Sequence, residues 1–324
     1  MDAPAVDAPA VDAPRRALGP VALVIASGLS VQFGASVAIM LMPRAGALGV
    51  VSLRLALAAV VMLAVCRPTL RGYSRADWGT VVAFGAAMGC MNILFYQSVD
   101  RIPLGAAVTL EVLGPLALSV IVSRRLVNLL WAVLALVGLV LLSGLATGGG
   151  GTDGGGLDRL DPVGAAYALG AGAMWAAYIV FSARTGRRFP QADGVALGMT
   201  VGALIALPLG IAESGAKLLA PSTLGLGLAV ALMSSVLPYT LELLALRRMP
   251  APTFAILMSL EPAIAATAGF LVLHQALSAT DALAIALVIV ASMGAVRTQI
   301  GPRRGPRAAR GRAGRKAAAG GLPK

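Results

Sequence analysis

The sequence predicts an all-α membrane protein of ten transmembrane helices, arranged as two inverted repeats of five. Three observations carry that prediction. The composition is 58% hydrophobic and only 12% charged over 324 residues, with a mean hydropathy of +0.86, whereas soluble chains average about 45–50% apolar and about 25% charged. The apolar residues fall into ten runs with mostly short connections, and a glycine-rich stretch divides five runs from five. Two runs at corresponding places in the two halves carry a proline near their middle beside a buried acid, the pattern that marks a transporter's central site.

The runs span 18–41, 46–66, 77–98, 103–122, 127–146, 161–182, 192–212, 223–246, 250–273 and 279–297. Each is close to the roughly 20 residues that a helix needs to cross a bilayer. Residues 1–17 form a tail that opens MDAPAVDAPAVDAP, a repeat too polar and proline-rich to bury a core. It has neither a basic n-region nor a cleavage pattern, so the first run is expected to remain a membrane helix. The stretch TGGGGTDGGGLDRL at 147–160 reads as a linker between a first repeat, 18–146, and a second, 161–297. Residues 298–324 form a basic, disordered tail able to contact anionic lipid, where each basic residue contributes about 1 kcal/mol.

Orientation follows from the cations, because Lys and Arg are retained on the cytoplasmic side. Of the 26 Lys and Arg residues, 21 fall in one set of alternate connections and tails. The other set holds only Arg44, Arg101, Arg159 and Lys217, and Arg54 lies inside a run. Both termini are therefore expected in the cytoplasm of a bacterial cell, with the chain in its inner membrane. Five helices per repeat, an odd number, place the second repeat upside down relative to the first.

Several function classes are excluded at this stage. The net charge of +12 sits between apolar runs and in the tail, without the aromatic and basic interleaving of a nucleic-acid site, so no nucleic-acid partner is expected. Cys66 and Cys90 lie in or beside apolar runs and suggest neither a disulfide nor a metal site, and His274 is the one histidine. No phosphate-binding loop, zinc-protease motif or nucleophile elbow occurs. The chain is expected to be no enzyme and to need no cofactor.

The candidate site residues are the polar groups inside runs. A carboxylate at mid-bilayer costs at least about 2.5 kcal/mol, so it normally faces a cavity or a partner. Glu261 stands in the middle of the ninth run, followed by Pro262, eleven and twelve residues beyond Pro250. In the fourth run Gly114-Pro115 stands at the same offsets from Pro103, and Glu111 precedes it by one turn. Both runs are expected to be broken at their prolines. Glu242 lies about one turn from the cytoplasmic end of its run, and is expected to be an interfacial charge that reaches water or pairs with Arg247 or Arg248. Arg54 lies at a depth close to that of Glu111, and two readings stay open for it: a structural pair with Glu111, or a clamp for a substrate carboxylate while an acid receives an ammonium group. Gln32 with Ser36, Asn92 with Tyr96, Trp175 with Tyr178, and Tyr239 could complete a cavity. Gly85 with Gly89, and Gly198 with Gly202, have the spacing of close helix packing.

The stretches VQFGAS (31–36), LRLAL (53–57), MNILFY (91–96), PLGAAVTLEVLGPLA (103–117), GAGAMWAAYI (170–179), LPYTLELLAL (237–246) and LMSLEPAIAA (257–266) together resemble the EamA family of the drug/metabolite transporter superfamily. The resemblance keeps motif order from about 20 to 297 and is nearest to the branch that exports threonine and homoserine. It implies a ten-helix inner-membrane transporter of two inverted repeats that exports small metabolites. The family pattern puts Glu261-Pro262 in the ninth helix and Asn92 with Tyr96 in the third, as here.

The expected function is secondary export of small amino acids such as threonine or homoserine in exchange for protons, since a buried carboxylate can take up and release a proton as its surroundings change. The alternative within transport is a multidrug or other metabolite exporter, whose lipophilic cations would need an acid and aromatics but not Arg54. A catalytic membrane protein or a non-transporting accessory protein fits less well, for want of a catalytic constellation in the first case and because of the duplicated proline runs in the second. Cysteine labels placed within 147–160 are expected to react from outside and labels after 300 from inside. Reaction of both from one side would eliminate ten crossings.

Overall fold

The structure, a computed structural model, describes residues 13–123, 127–142, 161–189 and 193–300, and every element among them is helical. The 147–160 linker and the basic tail after 300 lie outside the described residues, as does most of the first tail. Eight described segments are long and apolar enough to cross a membrane, and Leu129–Leu141 is a shorter apolar helix.

The first of these segments belongs to α1, Ala13–Cys66, which is two arms joined at Gly46 with φ 61° and ψ 166°. That conformation is open to glycine and strained for other residues. It turns the chain where the sequence places the boundary between the first two runs. Backbone groups exposed at this turn are taken by a neighbour: Gly49 N–H donates to Glu213 Oε2 at 2.9 Å, and the Ser214 hydroxyl donates to the Ala45 carbonyl. Both side chains come from the end of α6, Asp193–Ser214.

Start signals legible in the sequence account for several other helices. α2, Arg75–Val99, opens with a reciprocal capping box between Ser74 and Asp77. α5, Pro162–Thr185, has Pro162 at its first position and the Asp161 carboxylate on the N–H groups of Val163 and Gly164. α3, Leu104–Ser123, follows Pro103, and its free Leu104 N–H donates to Gln275 Oε1 at 3.1 Å. α4 covers Val127–Leu142, short of the 127–146 run, whose last four residues lie outside those described.

In the second half, α7 (Pro221–Ala231) passes through a π-helical turn, Leu232–Val236, into α8 (Leu237–Leu246). α9 (Ala251–Met258) stops at Ser259-Leu260, and α10 (Glu261–Leu273) restarts on Glu261-Pro262. α11 is Ala279–Ile300. The break expected at Glu261-Pro262 is thus present. The matching break at Gly114-Pro115 is not: α3 runs straight through both residues. Packing explains the correction. A Cβ at Gly114 would collide with the Gly172 backbone of α5, so at this point α3 is pressed against a second backbone that keeps the helix continuous.

α1 packs chiefly on α6, α2 on α5 and α6, α3 on α5 and α10, and α4 on α11. The glycine pairs are closely packed, as expected. A Cβ at Gly89 would lie 2.8 Å from Gly202 Cα, and one at Gly85 would overlap the Gly198 carbonyl, so α2 and α6 cross backbone to backbone. Many large apolar side chains face outward, among them Val65, Ile121, Val122 and Leu204. This is the arrangement expected where lipid, not water, surrounds the helices.

Gly114→Leu should therefore force α3 from α5 and destabilise the protein by about 3 kcal/mol or more. Gly79→Leu, where nothing lies within 4 Å of the added Cβ, should be near neutral. Thermal unfolding of the detergent-solubilised variants measures the difference, and equal midpoints would contradict the packing.

Candidate functional site

A cavity of about 540 Å³ lies among α1, α2, α3, α5, α8, α9, α10 and α11. It gathers eight of the nine site residues expected from the sequence: Gln32, Arg54, Asn92, Glu111, Trp175, Tyr178, Tyr239 and Glu261 all line it. Tyr96 does not. Only 1% exposed, it sits behind Arg54, with its hydroxyl accepting from Arg54 Nη1 at 3.2 Å and its ring 5.5 Å from the guanidinium carbon. Tyr96 therefore braces a site residue. Ser36, read with Gln32 as a possible lining residue, instead donates to the Gln32 carbonyl on its own helix.

The partners of Arg54 follow from a local defect in the helix that faces it. In an α-helix the Ser234 carbonyl would accept from residue 238, but residue 238 is proline and has no N–H. Leu237 N–H bonds instead to the Leu232 carbonyl, five residues back, which leaves the Met233 carbonyl open as well. Arg54 Nη2 donates to the Ser234 carbonyl at 2.7 Å, Arg54 Nε to Ser235 Oγ at 3.2 Å, and the Ser30 hydroxyl to the Met233 carbonyl at 2.6 Å. A guanidinium has five N–H donors. Three are used here, leaving one on each terminal nitrogen.

No ion pair within 4 Å joins Arg54 to Glu111, so of the two readings left open the structural pair is not formed. Glu111 and Glu261 are 9% and 8% exposed, and no protein hydrogen bond to either carboxylate is present among the described residues. Glu261 opens α10, where the helix dipole favours a carboxylate. Pro262 lacks the N–H that the Met258 carbonyl would receive, and Met258 lines the cavity beside Ser259.

Glu242 corrects the sequence reading. It is no interfacial charge: it lines the cavity, and Ser27 of α1 donates to its Oε1 at 2.9 Å. Tyr178 and Tyr239 line the cavity close to each other and to Glu242. Position near a helix end misled the reading, because the side chain is directed to α1 and the cavity and not to the end of α8. Ser27, Ser234 and Ser235 were missed altogether. The signal that could have found the last two is Pro238, four residues beyond Ser234. Among the described residues no group of three or more His, Cys, Asp or Glu side chains could hold a metal ion.

A mostly apolar cavity that carries one guanidinium and three carboxylates, walled by lipid-suited helices, defines a small-molecule carrier class. The model of the EamA-like transporter family matches residues 162–297. The chain is also 42% identical over 279 residues to the threonine/homoserine exporter RhtA of Salmonella typhimurium, covering 86% of this chain and 92% of that one, and matches RhtA of Escherichia coli K12 to the same extent. The chain belongs to the EamA-like transporter family, as its motifs suggested, and these relatives are transporters, not enzymes. An uncharacterized transporter of Bacillus subtilis, YwfM, is 28% identical over 221 residues, 66% of this chain and 71% of that one. A crystal structure at 18% identity aligns with a TM-score of 0.54, covering 86% of this chain and 97% of that one, which shows a shared fold.

Pro238→Ala restores a donor for the Ser234 carbonyl that competes with Arg54. One net hydrogen bond of about 1 kcal/mol should slow amide hydrogen exchange across 232–242 about fivefold in detergent-solubilised protein. Unchanged exchange would show that the missing N–H does not hold the π turn.

Proposed function

We propose that this protein exports small amino acids such as threonine or homoserine from the bacterial cytoplasm across the inner membrane, by antiport with protons. The observation that carries the proposal is the co-occurrence, in one cavity, of Arg54, which keeps two N–H groups without an acceptor among the described residues, and of the Glu111 and Glu261 carboxylates, which accept no protein hydrogen bond there. The first suits the carboxylate of an amino acid and the second its ammonium group. The RhtA relatives support the same substrate class.

Counting the two arms of α1 and the shorter α4, ten crossings arise, with both termini in the cytoplasm. The short segments α9 and α10 stand where α3 stands in the first half. That correspondence supports two inverted repeats sharing the cavity, and alternating access by exchange of their conformations. Glu261 is the coupling group: it holds a proton while the cavity is dry and releases it when an ammonium group or water enters.

Glu261→Gln keeps size and hydrogen bonding but removes titration. The variant should insert normally, lose export driven by a pH gradient in everted vesicles, and retain at most downhill exchange of radiolabelled threonine. Concentration of substrate against its gradient with wild-type pH dependence would remove Glu261 from coupling. Wild-type vesicles that move no amino acid at all would remove the export reading itself.

A further inference from the structure

Six buried side-chain polar atoms among the described residues have no hydrogen-bond partner, and three belong to residues that line the cavity: Gln32 Oε1, Ser234 Oγ and Ser292 Oγ. Leaving such a group unpaired costs stability, so a carrier that keeps several beside its substrate site has a use for them. Ser234 is placed most tellingly. Its carbonyl accepts Arg54 Nη2 at 2.7 Å, so the residue is in direct contact with the guanidinium that the export reading gives to the substrate carboxylate. A Cβ at Gly34 would overlap the Ser234 hydroxyl, so the glycine preserves its space. Ser292, on α11, has no such link to Arg54.

The chemistry of the substrate supplies the match. The side-chain hydroxyl of threonine or homoserine is two or three bonds from the Cα that bears the carboxylate, so whatever reads it must sit next to the carboxylate anchor. Resting on the export reading above, we infer that Ser234 Oγ and Gln32 Oε1 form a hydroxyl-reading subsite, which selects hydroxylated amino acids over their isosteres. Ser234 Oγ both donates and accepts, and Gln32 Oε1, on a residue 3% exposed, accepts from the substrate O–H. A site built this way rejects an analogue lacking the hydroxyl, because its own polar groups then stay unpaired.

Threonine and valine differ by a hydroxyl for a methyl, and homoserine and 2-aminobutyrate by a hydroxyl for a hydrogen. Purified wild-type protein in proteoliposomes should exchange internal radiolabelled threonine for external threonine or homoserine at least tenfold better than for valine or 2-aminobutyrate. Ser234→Ala leaves the carbonyl that holds Arg54, and Gln32→Met keeps side-chain length. Each should lower the threonine-to-valine ratio about tenfold, read as a ratio so that differences in protein yield cancel. Wild type that exchanges threonine and valine equally would overturn the subsite while leaving amino-acid export standing. Variants that keep the wild-type ratio would overturn it too, and wild type that exchanges no amino acid overturns both readings.

Discussion

A guanidinium half-buried among apolar helices must be matched by acceptors, and this requirement organises the centre of the protein. The cost of removing such an ion from water is several kcal/mol unless hydrogen bonds replace its hydration. Arg54 meets it with groups from two neighbours: the Tyr96 hydroxyl of α2, and the Ser234 carbonyl and Ser235 hydroxyl of the π turn. The second arm of α1, α2 and the α7–α8 segment are thereby tied at one point. Because that tie uses three of five donors, the same residue can be both a structural junction and a contact for what enters the cavity.

The acceptor on the π turn exists because a proline removes its normal partner, and the same device recurs around the cavity. Pro115, Pro238 and Pro262 each stand four residues beyond a lining residue, Glu111, Ser234 and Met258 respectively. Each withholds one helical N–H from that residue's carbonyl. The outcomes differ with the surroundings. At Pro238 the helix widens and Arg54 takes the carbonyl; at Pro262 it breaks; at Pro115 it stays continuous where Gly114 and Gly172 let two backbones press together. Irregular backbone at membrane depth survives where protein or a cavity receives the freed groups.

Much of the site was legible in the chain. Isolated polar residues in apolar runs are costly enough that their presence signals a cavity, and that reasoning picked out Glu261, Glu111, Arg54, Gln32 and Asn92. It misjudged Glu242 and Tyr96. For both, the deciding fact is which helix lies opposite: Ser27 of α1 draws Glu242 inward, while Tyr96 is covered by Arg54. Neither neighbour is close in sequence, so no local pattern could reveal them.

The sequence by itself determined the helical class, the positions of most helices and the identity of the buried ionisable groups, because hydropathy, capping residues and proline act over a few residues at a time. It also determined the small glycine faces of α2 and α6, since spacing alone puts them on one side of a helix. Tertiary structure alone decided whether a proline breaks, widens or merely marks its helix, and which acceptors Arg54 obtains. Those outcomes rest on contacts between segments about 180 residues apart, such as Arg54 with Ser234 and Ser235, where the energy of a freed carbonyl depends on what the rest of the chain brings to it.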